Sequence, residues 1–186
     1  MKKIIAVLLS LALLLSCAAV FAETAEEKEE FGMVNVNGAF ILKGKLPDGY
    51  RLMIMSQDAT KLIGLLHSDD PIKPRVTISI AFNEEYADVE RMNDLEESVV
   101  DEIKASFSDE DEVKFEDRET AFGTRVLITT ETGEDNIDFA DFYSIYKGYE
   151  IEFVMTPGAD SDGNITEEQI QMLIDFASDL DFVAGE

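Results

Sequence analysis

The alternation of apolar and polar residues in the C-terminal half of the chain predicts a β-hairpin. Residues 149–156 place large apolar side chains at every second position, namely Tyr149, Ile151, Phe153 and Met155. A period of two is typical of a strand whose sheet has one covered face. Residues 139–146 form the preceding strand, and Lys147-Gly148 joins the two. Glycine in second place favours the positive φ values of a tight hairpin turn, so the core is predicted to be an antiparallel sheet.

Further strands are predicted upstream of this hairpin. Val34, Val36 and then Phe40 to Leu42 begin the first strands, and the later ones are residues 51–55, 61–67, 75–82, 112–119 and 125–130. The run 61–67 is short and apolar throughout, so its periodicity also fits a turn of helix. Pro47-Asp48-Gly49 predicts a turn before the second strand, because proline presets φ and glycine accepts a positive φ.

Two amphipathic helices are predicted to cover the sheet. Apolar residues from Val89 to Phe107 recur at spacings of three and four, which indicates one helix of about five turns. A second helix begins after Thr166, whose hydroxyl is placed to cap it while Gln169 reaches back. Strands, a helix, more strands and a closing helix predict an α+β fold with a central antiparallel β-sheet.

This order of elements resembles the PsbP-like superfamily. The residues that carry the likeness are the turn 46–50, the strand 76–82 leading into the region from Val89, Phe122-Gly123, the Tyr146-Lys147-Gly148-Tyr149 hairpin and the closing helix. The superfamily includes a photosystem II extrinsic subunit, a Ran-binding nuclear import factor and exported bacterial PsbP-like or DcrB-like proteins. The resemblance implies an α/β/α sandwich and a non-enzymatic accessory or binding role, and it supplies no site residue.

The first residues predict export. Lys2-Lys3 and the apolar run 4–15 are followed by small residues, the pattern of a signal peptide at residues 1–22 with cleavage after Ala22. The alternative is a lipoprotein box, Leu14-Leu15-Ser16-Cys17, with Cys17 lipidated and the protein anchored to a membrane. Residues 23–32 are predicted to be an acidic tether and residues 33–186 a single domain. Either processing site predicts an extracytoplasmic protein, secreted in the first case.

The charge narrows the classes of partner. The chain has 40 Asp and Glu against 15 Lys and Arg, a formal charge of −25. Nucleic acid and anionic membranes would be repelled by such a surface. Cations and basic proteins remain open as ligands. The expected partner is a protein or another component of the cell envelope, and no membrane span is expected in the mature chain. Cys17 is the one cysteine, so the folded domain contains no disulfide or thiolate site.

A loop before the closing helix resembles an EF-hand calcium loop in part. Asp160 and Asp162 occupy two of the ligand positions around Gly163, but Gly158 and Gln169 replace the first aspartate and the last glutamate. An acidic turn is therefore favoured over a calcium site. A weak extracellular calcium-binding domain that uses Asp160 and Asp162 is the alternative function, and a carboxylate-dependent hydrolase ranks below it. No catalytic residue and no other cofactor is predicted.

Overall fold

The computed structural model describes residues 30–34, 40–57, 60–107, 114–119, 123–132 and 137–184. The predicted signal peptide, Cys17 and residues 23–29 lie outside these ranges. The strands are β1 (Glu30–Val34), β2 (Phe40–Lys45), β3 (Tyr50–Gln57), β4 (Lys61–Ser68), β5 (Arg75–Phe82), β6 (Lys114–Glu119), β7 (Arg125–Thr132), β8 (Ile137–Tyr146), β9 (Tyr149–Thr156) and β10 (Asp181–Ala184). The helices are α1 (Glu97–Phe107) and α2 (Glu167–Ser178).

Two antiparallel sheets are present in the described part of the chain. The larger has seven strands in the order β3-β4-β5-β9-β8-β7-β6, and the smaller has three in the order β1-β2-β10. The predicted hairpin is confirmed as β8 and β9, which lie next to each other inside the larger sheet. The sequence of residues 61–67 fitted either a strand or a turn of helix, and in the structure it is the strand β4.

The hairpin turn adopts the backbone conformation that its sequence predicts. Lys147 and Gly148 have φ values of 52° and 77°, and two positive φ values in succession match the right-handed twist of the strands. A Cβ atom on Gly148 would lie 2.9 Å from the Phe82 ring. Glycine is therefore required here by both conformation and space.

The two faces of the β8–β9 pair carry different layers. Phe142 and Phe153 are directly opposite in register and their rings stack at 5.3 Å. On that face Phe176 of α2 packs against Phe153, with ring centroids 6.0 Å apart. Tyr143 and Ile145 point to the other face, where they share a core cluster with side chains of α1. The predicted α+β class, an antiparallel sheet with two helices, is confirmed.

The long helix predicted from Val89 is shorter in the structure. Residues before Glu97 form two 3-10 turns, Glu84–Tyr86 and Met92–Asp94. Backbone groups between Val89 and Met92 bond to residues next to the strands instead of continuing a helix. The Gly148 N–H donates to the Val89 carbonyl, and the Met92 N–H donates to the Thr124 hydroxyl at 3.0 Å. Val89, Met92 and Leu95 nevertheless pack in the same core cluster as the buried side chains of α1, so the spacing of apolar residues correctly marked this face. The predicted single helix was therefore wrong at its N-terminal end.

The smaller sheet includes residues that were predicted to be tether. β1 begins at Glu30, so residues 30–32 belong to a strand. Phe31 explains the difference, since its ring lies 6.0 Å from the Phe176 ring of α2. After α2 the chain returns as β10 and pairs with β2, a strand that the sequence analysis did not predict.

The closing helix begins as predicted. The Gln169 N–H donates to the Thr166 hydroxyl at 3.3 Å, and the Thr166 N–H donates to the Gln169 side-chain oxygen at 2.9 Å. These two bonds satisfy donors that an α-helix leaves free at its start. Neither helix in the described ranges is long and apolar enough to cross a membrane.

Replacing Met92 with alanine tests whether the 3-10 turn is part of the core. Met92 is 0% exposed, so Met92→Ala is expected to lower the free energy of unfolding by about 2–5 kcal/mol through lost burial and a cavity. Ile72 is 59% exposed, and Ile72→Ala is expected to change it by less than about 0.5 kcal/mol. Urea denaturation of both variants measures the difference. Equal, small effects would show that Met92 is not a core residue.

Candidate binding surfaces

Strands β8 and β9 bring acidic groups together on the face that carries α1. Tyr143 lies opposite Glu152 in register, and Asp141 lies opposite Val154. Directly opposite residues share a face, so Asp141 is a diagonal neighbour of Glu152. Asp141 is only 3% exposed, whereas Glu150 and Glu152 are half-buried. A buried carboxyl therefore has one half-buried carboxyl, that of Glu152, as its diagonal neighbour, and Glu150 lies two residues further along β9.

Asp141 is a buried carboxyl next to Glu152. Burial, followed by the charge of Glu152 and hydrogen bonding to it, raises the pKa of Asp141 to about 8, although the backbone N–H of Phe142 acts in the opposite direction. The Asp141 Oδ1 atom has no hydrogen-bond partner within the described residues. Asp141 therefore keeps its proton near neutral pH.

A tyrosine joins Glu150 to α1. The Tyr143 hydroxyl donates to Glu150 Oε1 at 2.7 Å, and its ring meets the edge of Phe107 with centroids 5.4 Å apart. Burial is the main cause that raises the pKa of Tyr143, and the hydrogen bond to Glu150 adds to it. Burial also raises the pKa of Tyr86, with Glu150 as the next cause.

The geometry of the pair does not match glycoside hydrolysis. Glycosidases hold two carboxyl groups at least about 5 Å apart, with the substrate between them. Asp141 and Glu152 are instead diagonal neighbours across β8 and β9, and Asp141 has almost no exposed surface.

The edge strand β3 is a second unusual surface. Its side chains Met53, Ile54 and Met55 are 44%, 44% and 57% exposed. Arg51 is the single charged residue in this strand, and it pairs with Asp69 at 3.1 Å. A β-bulge interrupts the pairing with β4 between Ile54 and Ser56. Apart from Arg51, β3 has none of the charged side chains with which edge strands usually prevent association.

The opposite edge strand of the same sheet is highly charged in sequence. β6 has the sequence Lys-Phe-Glu-Asp-Arg-Glu, so five of its six residues are charged. Charged residues along an edge disfavour pairing with another chain. The two edge strands of the seven-stranded sheet therefore differ in charge.

The predicted calcium loop contains Asp160 and Asp162 in exposed positions. The Asp160 N–H donates to the Pro71 carbonyl, and the Asp162 side chain accepts from the Asn164 N–H at 3.1 Å. Gly163 has a φ of 84°. In the described ranges, no three His, Cys, Asp or Glu side chains are placed to hold a metal together. The calcium site at Asp160 and Asp162 remains a prediction.

The sequence analysis missed Asp141 and the edge position of β3. The available signal for Asp141 was a carboxylate inside an aromatic strand, between Ala140 and Phe142, because a charged residue there must be buried on one face or the other. The edge position depends on strand order, which alternation does not encode.

Comparisons with known proteins identify a likeness of fold. No protein-family model matches the chain, and no curated protein matches it. The chain is similar to the solution structure of cyanobacterial PsbP (CyanoP) from Synechocystis sp. PCC 6803, with 12% sequence identity and a TM-score of 0.48. The match covers 86% of this chain and 95% of that chain. The predicted PsbP-like resemblance has this one reported structural match, which assigns no residue or activity to this chain.

The raised pKa of Asp141 predicts a pH-dependent stability. Between about pH 4, where an unfolded aspartate titrates, and about pH 8, the folded state holds a proton that the unfolded state releases. The free energy of unfolding therefore falls as pH rises through this window, by up to about 1.4 kcal/mol per pH unit. Asp141→Asn removes the titrating group and is expected to remove this contribution.

Urea denaturation between pH 5 and pH 9 measures it, as the difference between wild type and Asp141→Asn at each pH. Asp160→Asn, at an exposed position, is the matched control and is expected to keep the wild-type profile. Parallel profiles for wild type and Asp141→Asn would contradict the raised pKa of Asp141.

Proposed function

We propose that this chain is an exported bacterial accessory protein that binds another protein and catalyses no reaction. Its α/β/α sandwich serves as a rigid frame, and the edge strand β3 is the binding element. The signal-peptide pattern of residues 1–22 supports export. The proposed partner is therefore a protein of the cell envelope or the medium.

The observation that carries this proposal is the contrast between β3 and β6. One edge strand exposes Met53, Ile54 and Met55, and the other edge strand has five charged residues among its six. An extended segment of a partner gains main-chain hydrogen bonds when it joins an open edge, and alternate side chains provide specificity. Methionine suits this role because its flexible, polarizable side chain adapts to different surfaces.

The charge of the chain defines the chemistry of the partner segment. β3 contains no acidic residue, although the chain as a whole carries −25. Asp48 and Asp58 flank the strand in sequence. An extended segment with an apolar centre and basic ends is therefore complementary to it. A second copy of this chain is disfavoured, because two such acidic molecules repel each other.

Site-specific photo-cross-linking in the producing cell tests the proposal. A cross-linking amino acid at Met55 is expected to form discrete adducts with a partner protein. Glu119 on β6 and Ile72 are both exposed, so they serve as controls for the opposite edge and for a merely apolar surface, and neither is expected to give the same adducts.

Met53→Lys is expected to remove the Met55 adducts, since a lysine on an edge strand opposes strand addition. Met53 is exposed, so this change leaves the core intact. Adducts of equal yield from Met55, Glu119 and Ile72, or Met55 adducts that persist in Met53→Lys, would contradict the proposal.

A further inference from the structure

We propose that Met53 and Met55 are an oxidation site, at which a peroxide converts two thioethers of β3 into sulfoxides and so closes this edge to its partner. The two side chains are 44% and 57% exposed. The oxidation itself depends on this exposure alone, whereas the closing of the edge rests on the proposed function.

The most exposed methionines lie on β3, among those whose side chains the structure describes. Met92 and Met155 are 0% exposed, and Met172 is half-buried against the main core cluster. Oxidation of a sulfur side chain requires access of the oxidant to the sulfur. The fold therefore protects these three methionines to a degree that it does not protect Met53 and Met55.

The backbone of β3 adds to the access. β3 is an end strand of the seven-stranded sheet, so β4 is its one neighbour in the described part of that sheet. Met53 lies opposite Leu65, but Met55 falls in the β-bulge and has no residue opposite it. A bulge leaves its extra residue unpaired and re-aims its side chain. Met55 is accordingly the more exposed of the two methionines, and it is expected to oxidise first.

No thiol is expected to compete for the peroxide in the mature chain. Cys17 is the one cysteine, and the chain has no tryptophan. Cleavage after Ala22 removes Cys17, and in the lipoprotein alternative its sulfur carries the lipid. Methionine sulfur is therefore the group that a peroxide is expected to oxidise. In an exported protein the cytosolic thiol systems do not reverse the change.

The oxidation step transfers one oxygen atom to each sulfur. The thioether sulfur attacks an oxygen of hydrogen peroxide, the O–O bond breaks and an S–O bond forms. Sulfur loses two electrons, and the peroxide is reduced to water, which takes both hydrogens. A methionine sulfoxide reductase reverses the step, with a dithiol that becomes a disulfide as the oxygen leaves in water.

The sulfoxides change the surface of β3 and leave the core intact. Each sulfoxide is a polar group, and a partner that covers it must remove water from its oxygen. The adaptable apolar contacts of Met53 and Met55 are lost at the same time. Both side chains already lie in water, so the midpoint of urea denaturation is expected to stay unchanged.

Peptide mass spectrometry after treatment with hydrogen peroxide tests the site itself. In the folded protein, the two methionines of β3 are expected to oxidise at least about tenfold faster than Met92 and Met155, because the buried sulfurs react only when the structure opens. The same treatment of the urea-unfolded chain is expected to remove this difference, which controls for local sequence. Equal rates for the four methionines in the folded protein would overturn the oxidation site.

Photo-cross-linking from Ser56 in the producing cell tests the closing of the edge. Ser56 is exposed and follows Met55, so the cross-linking amino acid leaves both methionines in place. Peroxide is expected to lower the yield of the Ser56 adducts at least about tenfold. The matched control is Met53→Leu/Met55→Leu, which keeps apolar side chains of similar volume. This variant has no sulfur on β3, and its adducts are expected to be the same with and without peroxide.

Adducts that persist in wild type while Met53 and Met55 are oxidised would overturn the closing of the edge, and this comparison needs no variant. Loss of the adducts on peroxide treatment of the leucine variant would also overturn it, because oxidation of another group would then be responsible. If untreated wild type gives no Ser56 adducts, the proposed function fails and the closing of the edge fails with it. The rates from mass spectrometry decide the oxidation site in either case.

Discussion

The structure depends on the pairing of β8 with β9 in the interior of the seven-stranded sheet. All the side chains of residues 140–146 are buried, because α2 covers one face of the hairpin and α1 with its preceding 3-10 turn covers the other. Backbone bonds from the hairpin turn reach Val89 and Glu90, so the same two residues that reverse the chain also hold the start of the α1 layer. Burial on both faces is what ties the helices and strands into one domain.

This central position explains why the polar chemistry of the molecule is concentrated there. A carboxyl on a strand with two covered faces loses its hydration, so burial raises the pKa of Asp141 and the charge of Glu152 adds to the shift. The outer strands are under no such constraint. β3, at the end of the sheet, exposes apolar side chains without changing the packing of the hairpin. A rigid centre and an open edge are consistent with a protein whose role is to present a surface.

Local chemistry made part of this fold predictable. The Lys147-Gly148 turn, the Pro47-Asp48-Gly49 turn and the cap formed by Thr166 and Gln169 depend on neighbouring residues alone, and all three form as expected. The extent of the helix after Val89 was not predictable in this way. Its spacing of three and four is the same for one long helix and for a 3-10 turn followed by a shorter helix that face one core, and the outcome depends on Thr124 and Gly148, far away in sequence. The position of Asp141 next to Glu152 depends on the register of β8 against β9, and the edge position of β3 depends on the order of strands. Neither is encoded in any one segment.

Native-state hydrogen exchange tests the central role of the hairpin most directly. If β8 and β9 are the last elements to open, the amides of Ile145 and Phe153 exchange only through global unfolding, with an opening free energy equal to that from urea denaturation. The amides of β3 are expected to exchange through smaller openings. Exchange of Ile145 and Phe153 through a partial opening, while β3 to β5 stay protected, would show that the fold is organised around other strands.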